Sequence, residues 1–293
     1  MSTPLAWPLR RDYLAPSLTL RGREFAWGAR TFLMGIINAT PDSFSGDGLG
    51  ADPVAAARLA AAFEQAGADI LDIGGQSSRP GAPVLDAAEE ARRVIPCIEA
   101  VRAVSSLPIS VDTFHAAVAD EALRAGADAV NDIWGLRFDD GLPAVAARHG
   151  AVLIAMHNQR GRDFHDVAAD IAAGLRETLA ICARSGIPPG RVILDPGFGF
   201  GWAPEQNLEM LRRLPELWHF RLPLLLGTSR KSTIGLVLDA PVDARFEGTA
   251  ASVAIAIAAG ADIVRVHDLS AMASVARVAD AIVRATWTHE PPP

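Results

Sequence analysis

The run Ala-Gly-Ala-Asp occurs three times in this 293-residue chain, at 66–69, 125–128 and 259–262. Each copy follows an amphipathic helical pattern and precedes an apolar run that reads as a strand. The glycine falls where a helix C-cap would place a left-handed residue. A helix-to-strand joint used three times is a weak internal repeat. It restricts the chain to folds that alternate the two kinds of element.

Reading outward from these joints gives eight strand candidates, at 32–38, 69–73, 108–112, 128–132, 151–157, 191–195, 222–227 and 262–267. Helical patterns lie near 52–66, 86–103, 114–125, 140–149, 165–185, 205–213, 246–259 and 270–286. Alternation of this kind predicts a parallel sheet. Eight units fit a (β/α)8 barrel, a TIM barrel in a single α/β domain, over 32–286. An open doubly wound sheet is the alternative. Residues 1–31 form an N-terminal extension expected to cover the barrel bottom, and 287–293 a disordered tail.

The strand candidates end in polar residues: Asn38, Asp72, Asp112, Asn131, His157, Asp195, Ser229, and Arg265 with His267. In a parallel barrel these ends meet at one mouth, which is where barrel enzymes keep their chemistry. Asp and Asn also cap helices, and that reading suits Asp72 and the helical Asp120. It fits Asp112 poorly, since Thr113 can cap, and Asp195 poorly, since Pro196 and a glycine loop follow. His157 reads equally well as a core residue, and His115 and His149 as surface residues.

Of 27 basic residues, only Lys231 is a lysine. Arg replaces Lys without loss on a surface, but not where a compact ammonium must fit. Chance survival of one lysine and selection for a point charge are both open on composition alone. The loop Asp195-Pro196-Gly197-Phe198-Gly199-Phe200-Gly201 alternates glycines behind an acidic strand end, which lets backbone approach a flat or anionic ligand. Phe198 and Phe200 read either as walls for that ligand or as loop packing. Arg230 reads either as a substrate contact or as the partner of a nearby acid.

A net charge of −7 argues against a general nucleic-acid surface. Cys97 and Cys182 have no paired spacing and read as reduced core thiols of a cytoplasmic protein. No His-Glu-x-x-His run suggests zinc. No apolar stretch has the length of a membrane span.

Several segments together resemble one family. Met34 to Ser45 is similar to the first signature of dihydropteroate synthases, and Asp72 to Gly81 to the second. Ser110-Val111-Asp112-Thr113, Asn131-Asp132, Met156-His157, Asp195 to Gly201, Ser229-Arg230-Lys231-Ser232 and Arg265-Val266-His267-Asp268 follow in that family's order. The resemblance implies synthesis of 7,8-dihydropteroate from (7,8-dihydropterin-6-yl)methyl diphosphate and 4-aminobenzoate, a Mg²⁺ ion and a homodimer.

By position it implies that Asp112, Asn131, Asp195 and Lys231 hold the pterin, with Lys231, Asp112 and Asp195 the catalytic set. Asn38 would serve the metal and the diphosphate; Ser78, Arg265 and His267 would bind the diphosphate. Phe44, Arg79, Pro80, Phe200 and Ser232 would form the aminobenzoate pocket, with loops 39–50 and 75–85 closing the mouth.

The chain departs from the family pattern in four places. Gly46-Asp47 stands for Asp-Gly, Gln76 for Glu, Ser78 for Thr, and Trp202 for a lysine. Gln76 and Trp202 each remove a charge expected near the mouth. A corrin-directed methyltransferase using methyltetrahydrofolate, or a pterin-binding paralogue without activity, remain the alternative functions.

Overall fold

The computed structural model describes residues 15–40, 48–77 and 84–288. A short hairpin, β1 (Leu18–Leu20) and β2 (Arg23–Phe25), leads into eight β/α units. These run β3 (Phe32–Asn38), α1 (Pro53–Gln65), β4 (Ile70–Gly74), α2 (Ala87–Val104), β5 (Ile109–Asp112), α3 (Ala116–Ala125), β6 (Ala129–Asp132) and α4 (Leu142–His149). They continue with β7 (Val152–Met156), α5 (Val167–Arg184), β8 (Val192–Asp195), α6 (Pro204–Arg213), β9 (Leu225–Leu226), α7 (Ser232–Leu238), α8 (Phe246–Ala258), β10 (Ile263–Val266) and α9 (Leu269–Arg284). Strands β3 to β10 form one parallel sheet in the order β8-β7-β6-β5-β4-β3-β10-β9. Its two end strands approach through the single bridge Leu194–Leu224, so the sheet is a nearly closed barrel.

The repeated joint explains much of this regularity. Gly67, Gly126 and Gly260 all have positive φ, at 93°, 113° and 94°. Such values suit glycine and reverse the chain after a helix. The alanine after each then donates five residues back: Ala68 to Phe63, Ala127 to Ala122 and Ala261 to Ala256, each at 2.9 Å. The aspartate that follows does a second job. Asp69, Asp128 and Asp262 accept from the backbone N–H of Leu33, Ile109 and Leu224 at 2.8, 2.9 and 2.9 Å. Each carboxylate therefore pins the start of its own strand to the strand or strand approach beside it.

Below the mouth, the hairpin residues Leu18, Leu20 and Phe25 share one buried cluster with Met34, Ile70, Ile154, Ile193 and Ile263. Two sequence expectations change. The seventh predicted strand, 222–227, narrows to Leu225–Leu226, and an unpredicted helix, α7, follows after the turn at 227–231. That helix, beside Lys231, has only seven residues, too few for a periodic pattern to read.

Candidate active site

The polar strand ends meet at one mouth, and a single arginine ties three of them together. Arg265 on β10 donates through Nε to Asp72 Oδ2 at 2.6 Å and through Nη2 to Asp112 Oδ2 at 2.7 Å. Asn131 Nδ2 reaches the same Asp72 oxygen at 3.2 Å. Asp72 is fully buried within β4 and makes no helix cap, which overturns the capping reading of that residue. Its remoteness in sequence from Arg265 hides it from local pattern: they are 193 positions apart. Asp120 does lie on a helix, α3, where it gathers Arg124, Arg148 and His149.

Charge here is crowded. Burial pushes the Asp112 carboxyl well above the usual range; Arg265 opposes this, while Asp72 and Asp132 add to it. Burial likewise raises Asp195, against the pull of Lys231. For Arg265, burial works against the charge, but Asp72 and Asp112 outweigh it and raise the pKa. Lys231 falls to about 8, mainly from burial, with Asp195 holding it up and Arg265 pressing it down.

The loop after β8 sets the position of the lysine. Gly197, Gly199 and Gly201 have φ of 82°, 84° and 84°. A side-chain carbon on Gly199 would come within 2.8 Å of the Lys231 Cδ, so the glycine makes room for the lysine stem. The Lys231 ammonium donates to the Phe198 carbonyl and stands 4.4 Å from the Phe200 ring centroid. Asp195 Oδ1 accepts from Gly197 N at 2.8 Å. Phe198 is buried in the main core and Phe200 packs with Phe114, Ile133 and Met156.

Arg230 presents Lys231 and Ser232 from a left-handed turn, φ 56°. A bulky residue tolerates that conformation only when its surroundings hold it. They do: Thr249 accepts its N–H at 3.0 Å, Arg245 donates to its carbonyl at 3.0 Å, and Asp268 takes its guanidinium at 2.5 Å. Arg230 is thus the partner of an acid. Ser232 begins α7 and is exposed. His267 Nδ1 lies 2.9 Å from Ser229 Oγ, joining the ends of two neighbouring strands. Asn38 closes β3, where its carbonyl accepts from Leu49 N at 3.0 Å.

Phe44, Ser78, Arg79 and Pro80, with Gly46-Asp47 and much of both mouth loops, lie outside the described residues. The base of the second loop is visible on both sides. Gln76 Oε1 accepts from Leu85 N at 2.6 Å, and His115 Nε2 lies 3.2 Å from the Leu85 carbonyl. A neutral amide here holds the loop base instead of presenting a charge to the mouth. His115 is largely shielded by this contact.

Beneath it, Glu90 is 1 % exposed and accepts from Thr113 Oγ1 at 3.0 Å. Burial pushes its carboxyl up to about 7, against the hydrogen bond from Thr113. A raised carboxylate contributes stability that is complete below its unfolded pKa and lost as pH rises through the folded value. Glu90→Gln keeps an acceptor for Thr113 and removes the charge. It is expected to stabilise the protein by about 1 kcal/mol at pH 8 and to leave it unchanged near pH 4. Denaturant unfolding at the two pH values checks this, and equal effects at both would refute it.

His157 is a core residue: it is 2 % exposed, burial lowers its pKa to about 4, and Nε2 lies 2.9 Å from Gln159 Oε1. Trp202 packs behind it in a tilted arrangement, centroids 5.6 Å apart, and is 8 % exposed. The side chain at 202 therefore points into the protein, which corrects its placement at the mouth. Trp202→Lys is expected to lower stability by burying an ammonium. In the fraction that folds, kcat/KM should change by less than about tenfold, or about 1.4 kcal/mol. A larger gain in steady-state rate would show that a charge at 202 belongs to the chemistry.

Among the described residues no cluster of three or more His, Cys, Asp or Glu could hold a metal ion. No helix among them is long and apolar enough to cross a membrane. Residues 34–267 match the family described as pterin binding enzyme. A dihydropteroate synthase of Synechocystis is 47% identical over 281 residues, covering 93% of this chain and 97% of that one. The Bacillus subtilis dihydropteroate synthase is 44% identical, covering 89% and 91%.

Among solved structures, the Clostridium difficile dihydropteroate synthase with pteroic acid superposes with a TM-score of 0.84 at 45% identity, covering 89% of this chain and 99% of that one. The Yersinia pestis dihydropteroate synthase with a sulfonamide drug gives 0.86 at 38% identity, covering 92% and 100%.

Proposed function

This chain belongs to the dihydropteroate synthase family of pterin-binding enzymes. From that premise we propose that its barrel mouth joins (7,8-dihydropterin-6-yl)methyl diphosphate to 4-aminobenzoate, with release of pyrophosphate. One observation carries the reading: half-buried Asp112 and buried Asp195 face Lys231 and Arg265 across one mouth.

A pterin edge offers an amino group and a ring N–H that one carboxylate, Asp195, can accept together. Its carbonyl and ring nitrogen suit the Lys231 ammonium, and Asn131 can serve either kind of partner. Breaking the methylene C–O bond leaves positive charge that spreads into the ring. Asp112 and Asp195, fixed in a desolvated floor, would stabilise that charge without reorganising. The arylamine nitrogen then forms the new C–N bond and gives up a proton. Arg265 and His267 would take the departing pyrophosphate, with Ser78 supplying a hydroxyl. Phe44, Arg79, Pro80, Phe200 and Ser232 would receive the aminobenzoate.

Asn38 offers a single neutral oxygen at the end of β3. That oxygen would hold a magnesium ion bound together with the diphosphate. When bound, the ion would neutralise charge on the leaving group. A second copy of the chain fits the exposed apolar side chains Leu236, Val237, Leu238, Phe246 and Ile255 on α7 and α8 as a homodimer contact.

The test of the reaction is pyrophosphate release from the pterin diphosphate, measured with and without 4-aminobenzoate. Release that requires the arylamine supports the synthase; methyl transfer to a corrinoid, or pterin binding without turnover, would replace it. Sulfonamides copy the arylamine and its para anionic group, so they are expected to compete with 4-aminobenzoate. Inhibition should then weaken in proportion as 4-aminobenzoate rises above its KM. Unchanged activity at saturating sulfonamide, with 4-aminobenzoate near its KM, would remove the pocket assignment.

A further inference from the structure

Behind the mouth, one buried amide joins the loop after β8 to the helix that follows Lys231. The strands under these segments, β8 and β9, are only lightly joined, through the Leu194–Leu224 bridge. Asn207 stands on α6 and is 2 % exposed. Its Oδ1 accepts from Gly199 N at 2.6 Å. Its Nδ2 donates to Thr233 Oγ1 at 3.1 Å and, one turn back along its own helix, to the Ala203 carbonyl at 3.2 Å. An asparagine amide accepts at one corner and donates at the other within a single rigid plane. Asn207 therefore fixes the distance between the glycine loop and α7.

Both ends of this link lead to the lysine. Gly199 is the residue against which the Lys231 stem runs, and the Lys231 ammonium donates to the carbonyl of Phe198, one residue earlier. Thr233 belongs to the first turn of α7, which Lys231 opens: Ile234 N and Gly235 N donate to the Lys231 carbonyl at 3.0 and 3.4 Å. Any slip of α7 along the glycine loop would carry the ammonium away from its acceptor. Thr233, like Asn207, is 2 % exposed, so water does not compete for the bond between them.

We propose that Asn207 is a positioning residue for the reaction: through Gly199 and Thr233 it sets where the Lys231 ammonium stands over the glycine loop. The assignment rests on the synthase reading and adds to it a residue that acts only through the lysine given to the pterin. A small displacement of such a group costs rate out of proportion to the contact that allowed it.

The experiment measures steady-state pyrophosphate release and thermal unfolding for wild type, Thr233→Val, Thr233→Ser, Asn207→Ala and the double variant Asn207→Ala/Thr233→Val. Thr233→Val removes only the bond across to α7, and Asn207 Nδ2 keeps the Ala203 carbonyl. It should lower kcat/KM for the pterin diphosphate about tenfold, the effect of one buried hydrogen bond. The loss should lie in KM for that substrate, with kcat and KM for 4-aminobenzoate within about twofold of wild type. Thr233→Ser keeps the hydroxyl and should restore the wild-type KM. Asn207→Ala should lose more than Thr233→Val, and adding Thr233→Val to it should cost kcat/KM nothing further, because both act through one amide. A lower unfolding temperature with wild-type kinetics in Thr233→Val would overturn the proposal and leave the amide a role in folding alone. A loss that Thr233→Ser does not rescue would overturn it in favour of packing, and so would full additivity in the double variant. Failure of the underlying reaction looks different, since wild type would then release no pyrophosphate, and the assignment would fall with it.

Discussion

Arg265→Met is expected to cost the folded protein about 3 kcal/mol at pH 8, and to recover part of that loss on acidification. Arg265 is the counter-ion of two carboxylates, Asp72 at 2.6 Å and Asp112 at 2.7 Å. Methionine fills similar space but leaves both acids buried without it. The protonated form of Asp112 becomes more favoured, so its folded pKa, already raised by burial, climbs further above the unfolded one. Groups shifted that way contribute stability at low pH that is lost as pH rises through the folded pKa.

The deficit of Arg265→Met should therefore be greatest above neutrality and smallest near pH 5. Adding Asp72→Asn to Arg265→Met should recover more than additivity allows, because the pair is in direct contact. Urea unfolding of the four proteins across pH checks both statements. A deficit independent of pH would mean that the arginine acts by packing alone.

Lys231→Arg is expected to lower kcat/KM by at least about 2 kcal/mol, or roughly thirtyfold. Charge is kept, so the loss must come from shape. The stem runs against Gly199, where even one added carbon would approach to 2.8 Å. The ammonium fits between the Phe198 carbonyl and the Phe200 ring. A guanidinium is wider, flat and fixed in its donor directions. Steady-state kinetics with the pterin diphosphate as the varied substrate would show the effect, and wild-type turnover would refute it. Such turnover would also favour chance as the reason one lysine remains among 27 basic residues.

The barrel was legible because its joints repeat. Ala-Gly-Ala-Asp states a helix end, a left-handed glycine and a strand start within four residues, and all three copies fold alike. The mouth was legible because parallel strands must deliver their ends to one place, and Asp112, Asn131, Asp195, Lys231, Arg265 and His267 meet there.

What sequence reading lost depends on contacts between distant segments. Asp72 sits inside an apolar strand, and only its partners on β6 and β10 reveal its work. The direction of Trp202 depends on His157, across the loop on another strand end. Helix α7 is too short for its periodicity to register.

The single bridge between Leu194 and Leu224 has a consequence of its own. A ring of strands with one poorly laced joint resembles a split collar, whose gap sets how far it can spring. That gap runs up to Asp195 on one side and to the Lys231 turn on the other. A heterocycle gripped by both would act as the clasp, fastening through side chains the one place the backbone leaves loosely tied. Ligand binding at this mouth would then tighten the whole collar, including strands that never touch the ligand.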